Sequence, residues 1–575
     1  MKKVSLSDNA LAVAKSRYFQ NGEDWTGCAE RVANIVSIPE MTNRDKIRDE
    51  FAQMINNMDF LPGGRILRNC GRPRGSLFNC YHLPIGDSIE EIGQFIKDSL
   101  ILWSEGGGVG CNFTPLRPKG DSIFGKGGQS SGLVSFIEAA NAAANTIESG
   151  GARRAAAIAH VDISHPEVVE FIDAKLVHGK LSHFNISVSV TDEFLLKVEA
   201  DDYWTFKFKQ KEYGKIKARD LWNKIVTNMV NCAEPGLINW SNFAKNNSYY
   251  FEPVLGTNPC GETTLGPYGV CDLGSLVLPN FITGNINTNW KKLEYIIKLG
   301  VRFLDNVIDV NKYTLKEIDI NAHKSRRIGI GVIGLAEYLF AKKARYGSEK
   351  AVIETERLMR FIRDSVYQAS LELSIEKGAF PMFDSMQYGK ASFIRKLPAQ
   401  LRMDIKKHGV RNCTLMALAP TGTISLLCDY TSAIEPLFAK AMIRRDRVSD
   451  RMYVHPKYQE ILLSGEESPD WFVDSFDLEP KDHFEMQVAC QRYCDASVSK
   501  TINLPNETTE EDLSNLLLEY IRDLKGVTVY RDGSREGQIL NKVSEEEVMK
   551  HISENTAVNN LDVDQVECAS GSCDI

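Results

Sequence analysis

Residues 257–262 read Thr-Asn-Pro-Cys-Gly-Glu, so that a cysteine, Cys260, stands between a proline and a glycine. An amide, Asn258, lies two residues before the cysteine, and a carboxylate, Glu262, lies two residues after it. In an extended loop this spacing places all three side chains on one side. The stretch therefore predicts a compact site with a sulfur nucleophile or radical, a carboxylate base and a hydrogen-bonding amide. A turn with incidental polar residues fits the stretch equally well.

The chain around this stretch has an ordinary globular composition. Of its 575 residues, 43% are hydrophobic and 25% are charged, which excludes a disordered, collagen-like or coiled-coil chain as a whole. The length fits about three or four ordinary domains, or one large barrel with additions. The formal net charge of -8 argues against a nucleic-acid binder, because phosphate contacts need a basic surface.

The sequence contains no membrane or secretion signal. No window approaches the roughly 18 to 20 uncharged apolar residues that cross a bilayer, and the N-terminus turns polar before the apolar region of a signal peptide forms. Thirteen cysteines are an odd number and too few for a disulfide scaffold. We therefore expect a cytoplasmic protein with mostly reduced thiols, in which any pair that oxidises has a function.

The hydrophobic pattern divides the chain into three parts. Residues 1–60 have apolar side chains at helical spacing and predict a helical cap. Residues 61–540 alternate short β-like runs with amphipathic helices, as α/β proteins do, and include an alanine-rich helix predicted over residues 133–148. Residues 541–575 are mainly polar and acidic and predict a mobile tail with two cysteines near its tip.

Three other motifs carry less weight. The stretch GDSIFGKG at 120–127 nearly matches a phosphate-binding loop, but Gly127 replaces the required hydroxyl residue. The stretch GGGVGC at 106–111 lacks the third glycine of a dinucleotide fingerprint and fits a tight turn equally well. Cys490 and Cys494 have no second pair nearby to complete a zinc site, so we expect no metal site.

Several motifs in one order resemble the ribonucleotide reductase family. The stretch at 258–262 is followed by YGVCDLGS at 268–275, as in the active-site region of that family. The other matches are GGGVG at 106–110, LRPKGD at 116–121, GGARR at 150–154, HPE at 165–167, RRIGIG at 326–331, PTGTIS at 420–425 and KGVTVYRDGSR at 525–535. The resemblance covers roughly residues 60–540 and the cysteine tip.

The resemblance implies a ten-stranded α/β barrel made of two half-barrels, behind the N-terminal helical cap. A central finger loop would carry the radical cysteine through the barrel. Only about 60 residues precede the barrel, too few for the regulatory ATP-binding cone of the family. We therefore expect no on/off activity site, but we do expect the specificity site that binds a deoxynucleotide effector.

The resemblance also assigns roles at the finger loop. Cys260 would be the thiyl radical that removes the ribose 3′ hydrogen. Glu262 would accept the 3′-hydroxyl proton as general base, and Asn258 would orient the ribose hydroxyls.

Two cysteine pairs match the redox cysteines of the family. Cys80 and Cys271 would reduce the substrate as the 2′-hydroxyl leaves as water, and would end as a disulfide. Cys568 and Cys573 would re-reduce this disulfide by thiol exchange, and a thioredoxin or glutaredoxin-type protein would reduce them in turn.

The nucleotide contacts follow from the same resemblance. The substrate, a ribonucleoside di- or triphosphate, would be held by Gly107, Pro420, Thr421, Gly422, Thr423 and Ser425. The effector would be bound by Asp87, Ser88, Ile89 and Lys126. The loop that reports effector identity would include Gly151, Arg153 and Arg154. Dimeric members bind the effector at the subunit interface, so we expect a homodimer, with a monomer as the alternative.

The radical source is indicated by the region of Tyr530. Class I members take their radical from a separate metal subunit and carry adjacent tyrosines, whereas this chain has Val529-Tyr530. The phrase KGVTVYRDGS at 525–534 instead resembles the adenosylcobalamin-dependent class II members. We therefore expect adenosylcobalamin as cofactor. The alternatives are a class I-like large subunit with a ferritin-like partner and, in another class of function, a non-catalytic nucleotide-binding regulator.

Overall fold

The computed structural model describes residues 4–123, 125, 127–149, 153–177, 179–284, 286–445, 450–531 and 540–550. Four of the predicted site residues lie outside these ranges, namely Lys126, Gly151, Cys568 and Cys573. For Arg153 and Arg154 only the backbone is described. No helix in the described ranges has the length and apolarity that a membrane span requires.

Helices form the N-terminal region and recur between the strands. Many begin at a capping side chain, as where Ser88 accepts a hydrogen bond from the Glu91 N–H at 3.2 Å. In chain order the helices are α1 (Asp8–Arg17), α2 (Trp25–Val36), α3 (Arg44–Asn56), α4 (Gly64–Asn69), α5 (Ile89–Ser104), α6 (Leu133–Ala144), α7 (Val168–Ile172), α8 (Asp192–Glu199), α9 (Ala218–Cys232), α10 (Trp240–Lys245), α11 (Trp290–Val310), α12 (Lys316–Ser325), α13 (Leu335–Ala341), α14 (Glu349–Lys377), α15 (Ser385–Tyr388), α16 (Ser392–Arg395), α17 (Ala399–His408), α18 (Pro456–Ser464), α19 (Pro480–Gln491) and α20 (Glu510–Tyr520).

The strands are mostly short and buried. They are β1 (Phe60–Pro62), β2 (Cys80–His82), β3 (Gly108–Asn112), β4 (Glu148–Ser149), β5 (Arg153–Arg154), β6 (Ala157–Asp162), β7 (Phe184–Val190), β8 (Tyr203–Phe208), β9 (Lys211–Lys217), β10 (Gly236–Asn239), β11 (Gly256–Thr257), β12 (Thr264–Leu265), β13 (Gly269–Val277), β14 (Ile282–Thr283), β15 (Asn287–Thr288), β16 (Ile328–Ile333), β17 (Ala441–Arg445), β18 (Asp450–Val454), β19 (Thr501–Leu504), β20 (Gly526–Arg531) and β21 (Leu540–Lys542). Strands β13 and β16 are buried at every position, as expected for a sheet covered on both faces.

The main sheet has ten strands in two parallel sets. Strands β2, β3, β6, β7 and β10 lie side by side in this order and run parallel to one another. Strand β13 likewise runs parallel to β16, and β19 runs parallel to β20. The two sets meet antiparallel where β13 pairs with β2 and where β10 pairs with β20. Strand β1 adds antiparallel to β13.

The second set is continued by the segment around residues 416–418. Parallel bridges join Ile330 of β16 to Met416, and Leu418 to Val498 just before β19. These bridges connect the two ends of the second set and close the ring. The prediction of an α/β barrel built from two half-barrels is thereby confirmed.

The N-terminal helices dock on the outside of the barrel through a buried ionic contact. The carboxylate of Glu40 is 2.9 Å from the Arg302 guanidinium of α11 and 2.9 Å from the Lys377 ammonium of α14. Within the N-terminal region, the indole N–H of Trp25 in α2 donates to the Asn56 carbonyl at the end of α3 at 3.1 Å. The helical cap predicted from the apolar spacing is thus confirmed.

The helix predicted over residues 133–148 is shorter than expected. It ends at Ala144, and the backbone of Glu148–Ser149 pairs with Arg153–Arg154 as the β4–β5 ladder. Thr146 and Ile147 are β-branched and disfavour helix, so pairing with a later segment determines the conformation there.

Candidate active site

A short hairpin carries the predicted active-site stretch into the barrel. Strands β11 and β12 pair antiparallel, and residues 258–263 form the tip between them. The hairpin contacts β3 closely, because a Cβ built at Gly110 would lie 1.8 Å from the Thr257 carbonyl oxygen. On the other side, the Ser497 N–H donates to the Glu262 carbonyl at 2.9 Å. Since β3 and residue 497 belong to opposite half-barrels, the hairpin is the finger loop.

The tip is a turn rather than the extended loop that the two-residue spacing suggested. The Gly261 N–H donates to the Asn258 carbonyl at 3.0 Å, and Gly261 has a φ of +80°. Proline in the second position and glycine in the fourth favour such a turn. Cys260 is half-buried, whereas Asn258 and Glu262 are fully buried. The expectation of three side chains aligned by an extended backbone is therefore wrong.

Asn258 and Glu262 meet at the sulfur of Cys80. The Asn258 side-chain N–H donates to the Cys80 sulfur at 3.2 Å, and the Cys80 thiol donates to a Glu262 carboxylate oxygen at 3.4 Å. Burial raises the pKa of Glu262 above its ordinary value. Burial, with the charge of Glu262 added, raises the pKa of Cys80 well above that of a free thiol. Cys80 is therefore a protonated thiol whose hydrogen is directed at the Glu262 carboxylate.

Cys80 and Cys271 lie directly opposite each other on adjacent strands. They are register partners in the antiparallel β2–β13 ladder, and both are free thiols. Such partners have Cα atoms about 4.5–5.5 Å apart, within the range of about 4.4–6.8 Å that a disulfide spans. The two cysteines share a small apolar cluster with Leu273, Ala417 and Ala496. The pair can therefore alternate between dithiol and disulfide with little movement of the backbone.

The predicted substrate-phosphate turn, residues 420–425, has its hydroxyl groups engaged. The Thr421 hydroxyl accepts from the Ala433 N–H at 2.9 Å, and Thr421 itself has a φ of +55°. The Ser425 hydroxyl lies 3.1 Å from that of Ser432. Gly422 is exposed at the turn, with Pro420 and Thr423 partly exposed beside it. Thr421 and Ser425 thus shape the turn, and a ligand would meet the exposed glycine.

Gly107, the other predicted substrate contact, follows the end of α5. Its N–H donates to the Leu102 carbonyl at 2.9 Å, and a Cβ there would lie 2.6 Å from the Tyr81 ring. The glycine therefore permits the close approach of the chain to Tyr81.

The predicted effector residues lie at the start of α5. Asp87 accepts from the Arg117 backbone N–H at 2.9 Å and from its guanidinium at 3.1 Å. Ser88 caps α5, and Ile89 is 62% exposed. Sequence reasoning missed Arg117, although the quoted LRPKGD motif contains it. Among the residues that the structure describes, no group of three or more His, Cys, Asp or Glu side chains is placed to hold a metal ion.

The barrel has a cysteine on its finger loop and two facing cysteines on adjacent strands, and comparison with known proteins identifies its family. The family model "Ribonucleotide reductase, barrel domain" matches residues 78–530, and "Ribonucleotide reductase, all-alpha domain" matches residues 4–75. The chain belongs to the ribonucleotide reductase family, whose members are oxidoreductases, and the predicted family is confirmed.

Comparison with individual proteins shows which members of the family this chain is similar to. The vitamin B12-dependent ribonucleoside-diphosphate reductase of Thermoplasma acidophilum is 34% identical, over 92% of this chain and 72% of that protein. The protein of the same name from Mycobacterium tuberculosis strain CDC 1551 is 36% identical, over 94% of this chain and 81% of that protein. The ribonucleoside-diphosphate reductase subunit alpha of Chlamydia trachomatis is 26% identical, over 81% of this chain and 53% of that protein.

Proposed function

We propose that this chain reduces ribonucleoside diphosphates to 2′-deoxyribonucleotides, with a radical on Cys260 that depends on adenosylcobalamin. The observation that carries the proposal is the facing pair Cys80 and Cys271, of which the Cys80 sulfur is in hydrogen-bond contact with Asn258 and Glu262 of the finger loop. The diphosphate substrate and the cofactor are supported by the names of the relatives at 34% and 36% identity. The relative named subunit alpha, at 26%, supports the class I alternative less well.

The tip of the finger loop fits a cofactor that approaches from outside the chain. Cys260 is the partly exposed member of the site, and a Cβ at Gly261 would meet no atom within 4 Å. Cys260 and Gly261 are therefore the residues that would face adenosylcobalamin. The chemistry that this cofactor supplies when bound is homolysis of its cobalt–carbon bond, which provides an unpaired electron.

The residues of this chain then divide the work on the ribose. The Cys260 sulfur removes the 3′ hydrogen atom, and Glu262 accepts the 3′-hydroxyl proton. The raised pKa of Glu262 makes its carboxylate a stronger base than an exposed glutamate. The amide of Asn258, held by the Thr263 N–H at 3.0 Å, orients the sugar hydroxyls. Burial of Asn258 and Glu262 excludes water from their side of the site.

The reduction balances through two thiols. Cys80 and Cys271 together give two protons and two electrons. One proton leaves with the 2′-hydroxyl as water, the other forms the new C–H bond at the 2′ carbon, and one S–S bond forms between the two sulfurs. The 3′ hydrogen returns from Cys260, which restores its radical. Cys568 and Cys573 then exchange with the new disulfide, and a thioredoxin or glutaredoxin-type protein reduces them.

The proposal also includes regulation and assembly. A deoxynucleotide effector would bind at Asp87, Ser88 and Ile89 with Lys126, at the interface of a homodimer. The guanidinium of Arg117, fixed by Asp87, supplies positive charge for its phosphates. The proposal includes a cytoplasmic location, which the low cysteine content of the sequence supports.

Anaerobic turnover of the purified chain tests the function. We expect CDP, dithiothreitol and adenosylcobalamin to yield dCDP by chromatography, and CTP to yield less product. Cys260→Ser should abolish the product, because a hydroxyl holds its hydrogen too strongly to form the radical. Cys232→Ser, at the end of α9, is the matched control and should retain turnover. Product that appears only with an added metal-loaded protein would assign the chain to class I, and no product under either condition would refute the function.

A further inference from the structure

Two buried histidines lie beneath the finger loop and have no part in the proposed chemistry. His82 of β2 and His160 of β6 are both fully buried. Both rings contact Gly256, because a Cβ built there would lie 2.7 Å from His82 Nε2 and 3.3 Å from His160 Cδ2. The imidazoles therefore form the floor on which the hairpin rests.

A chain of hydrogen bonds runs from His160 to the turn of Cys260. His160 Nε2 lies 3.2 Å from the Thr257 hydroxyl, which donates its single proton to the Asn258 carbonyl at 2.9 Å. With that proton engaged at Asn258, the Nε2–H tautomer of His160 completes the chain by donating to the Thr257 hydroxyl. The same Asn258 carbonyl accepts the Gly261 N–H, and this bond closes the turn.

The remaining nitrogens of the two rings have no partner among the described residues. These are Nδ1 of His160 and both nitrogens of His82. Burial lowers the pKa of each ring to about 3, so both are neutral. A buried polar group without a partner destabilises the fold, and an aliphatic side chain would avoid that cost. Imidazoles in this floor therefore destabilise the fold relative to aliphatic side chains. The hydrogen bond between His160 and Thr257 is an interaction that an aliphatic side chain could not make.

We propose that His160, supported by His82, is a positioning residue for Cys260. Its N–H holds the Thr257 hydroxyl on the Asn258 carbonyl and so fixes the turn that presents the sulfur. This inference rests on the proposed role of Cys260 as the radical residue. A displacement of about 1 Å in a reacting group costs about 10²-fold in rate. Since His160 touches the turn and not the substrate, its loss should lower kcat and leave KM unchanged.

Four variants separate positioning from stability. His160→Leu fills the space without a donor, and His160→Gln keeps an N–H near the Nε2 position. Thr257→Val removes the hydroxyl at nearly constant shape. The matched control is His483→Leu in α19, because His483 is also fully buried and also lacks a partner for both ring nitrogens in the described structure.

Two measurements apply to each variant. The first is kcat and KM in the anaerobic assay. The second is the rate at which iodoacetamide alkylates Cys260 in the enzyme without cofactor or nucleotide, followed by peptide mass spectrometry, with Cys232 as internal reference. The alkylation rate reports the geometry of the turn directly, so it tests the positioning role even where the wild type yields no product and the proposed function has failed.

We expect His160→Leu and Thr257→Val each to lower kcat at least about tenfold with KM unchanged, and to change Cys260 alkylation at least about threefold. The double variant His160→Leu/Thr257→Val should lower kcat no further than either single variant, because both substitutions break the same chain of hydrogen bonds. His160→Gln should recover most of both signals, and His483→Leu should match the wild type. Wild-type values for His160→Leu, equal loss in His483→Leu, or no rescue by His160→Gln would overturn the proposal. Where His160→Leu does not fold, Thr257→Val and His160→Gln decide.

Discussion

At the scale of single residues, two buried aspartates show how partners determine the charge state. Asp305 of α11 is 2.7 Å from the Arg326 guanidinium and 3.1 Å from that of Arg411. Burial acts to raise its pKa, but the two arginines outweigh burial and hold the pKa below its ordinary value. For Asp272 of β13, neither carboxyl oxygen has a partner in the described structure, and burial raises its pKa well above the ordinary value. Two carboxyls of equal burial therefore have opposite shifts.

The opposite shifts predict opposite dependences of stability on pH. The raised pKa of Asp272 means that stability is lost as pH rises above the unfolded pKa, so Asp272→Asn should stabilise the protein increasingly as the pH rises above about 4. The lowered pKa of Asp305 means that its contribution is present above the unfolded pKa and is lost as pH falls through the folded pKa. Asp305→Asn should cost about 3–5 kcal/mol at pH 7 and less near pH 3.

Thermal unfolding of both variants across this pH range provides the measurement. For Asp272→Asn, the Tm should exceed that of the wild type by an amount that grows with pH. For Asp305→Asn, the Tm should fall below that of the wild type by an amount that grows with pH. Differences that do not vary with pH would show that neither carboxyl changes its protonation on folding.

At the scale of elements, strand β3 has glycines at the positions where the finger loop packs against it. Glycine weakens a strand, yet β3 has Gly108 and Gly110 where the hairpin crosses. A Cβ at Gly108 would lie 2.9 Å from the Pro259 side chain, and one at Gly110 would lie still closer to the hairpin backbone. The two glycines therefore set the distance between sheet and hairpin.

Gly110→Ala should displace the hairpin and lower kcat at least about tenfold, since a backbone carbonyl cannot move aside without its turn. Gly93→Ala in α5 is the matched control, because its Cβ would meet no atom within 4 Å. Alanine there should raise stability by about 0.5–1 kcal/mol and leave kcat unchanged. Steady-state kinetics and thermal unfolding of both variants are the measurements. Normal turnover by Gly110→Ala would show that the hairpin tolerates the added methyl group.

At the scale of the whole molecule, the barrel encloses one cysteine pair and the sequence provides a second pair at its end. Cys80 and Cys271 are 4% and 0% exposed, so a bulky protein reductant cannot reach them. Cys568 and Cys573 lie outside the described residues, in the segment whose composition predicts a mobile tail.

The two pairs should therefore fail differently. With Cys568 and Cys573 both changed to Ser, pre-reduced enzyme should still form one deoxynucleotide per chain and end with a Cys80–Cys271 disulfide. Thioredoxin-driven multiple turnover should nearly stop, because the interior disulfide cannot be reached. Cys271→Ser should lose even the first normal turnover. Product counts and peptide mass spectrometry measure both outcomes, and undiminished thioredoxin-driven cycling by the tail variant would remove the shuttle role.

The sequence by itself determined the family and the candidate residues of the site. Motifs such as residues 258–262 and 420–425 are local strings, and their order along the chain is readable without a fold. The alternation of short apolar runs with amphipathic helices likewise predicted the α/β class, because periodicity is a local property.

Only the tertiary structure decided how these residues meet. The register that places Cys80 opposite Cys271 depends on which strands pair, and pairing joins segments far apart in the chain. The turn at Cys260, expected as an extended loop, is favoured by its own proline and glycine, and the packing of the hairpin against β3 sets its place in the barrel. His160 had no sequence signal of its own, and Arg117 stood in a quoted motif without an assigned role, because the contacts of each are with a partner distant in sequence. Local patterns carry composition and periodicity, whereas closure of the barrel sets every contact across it.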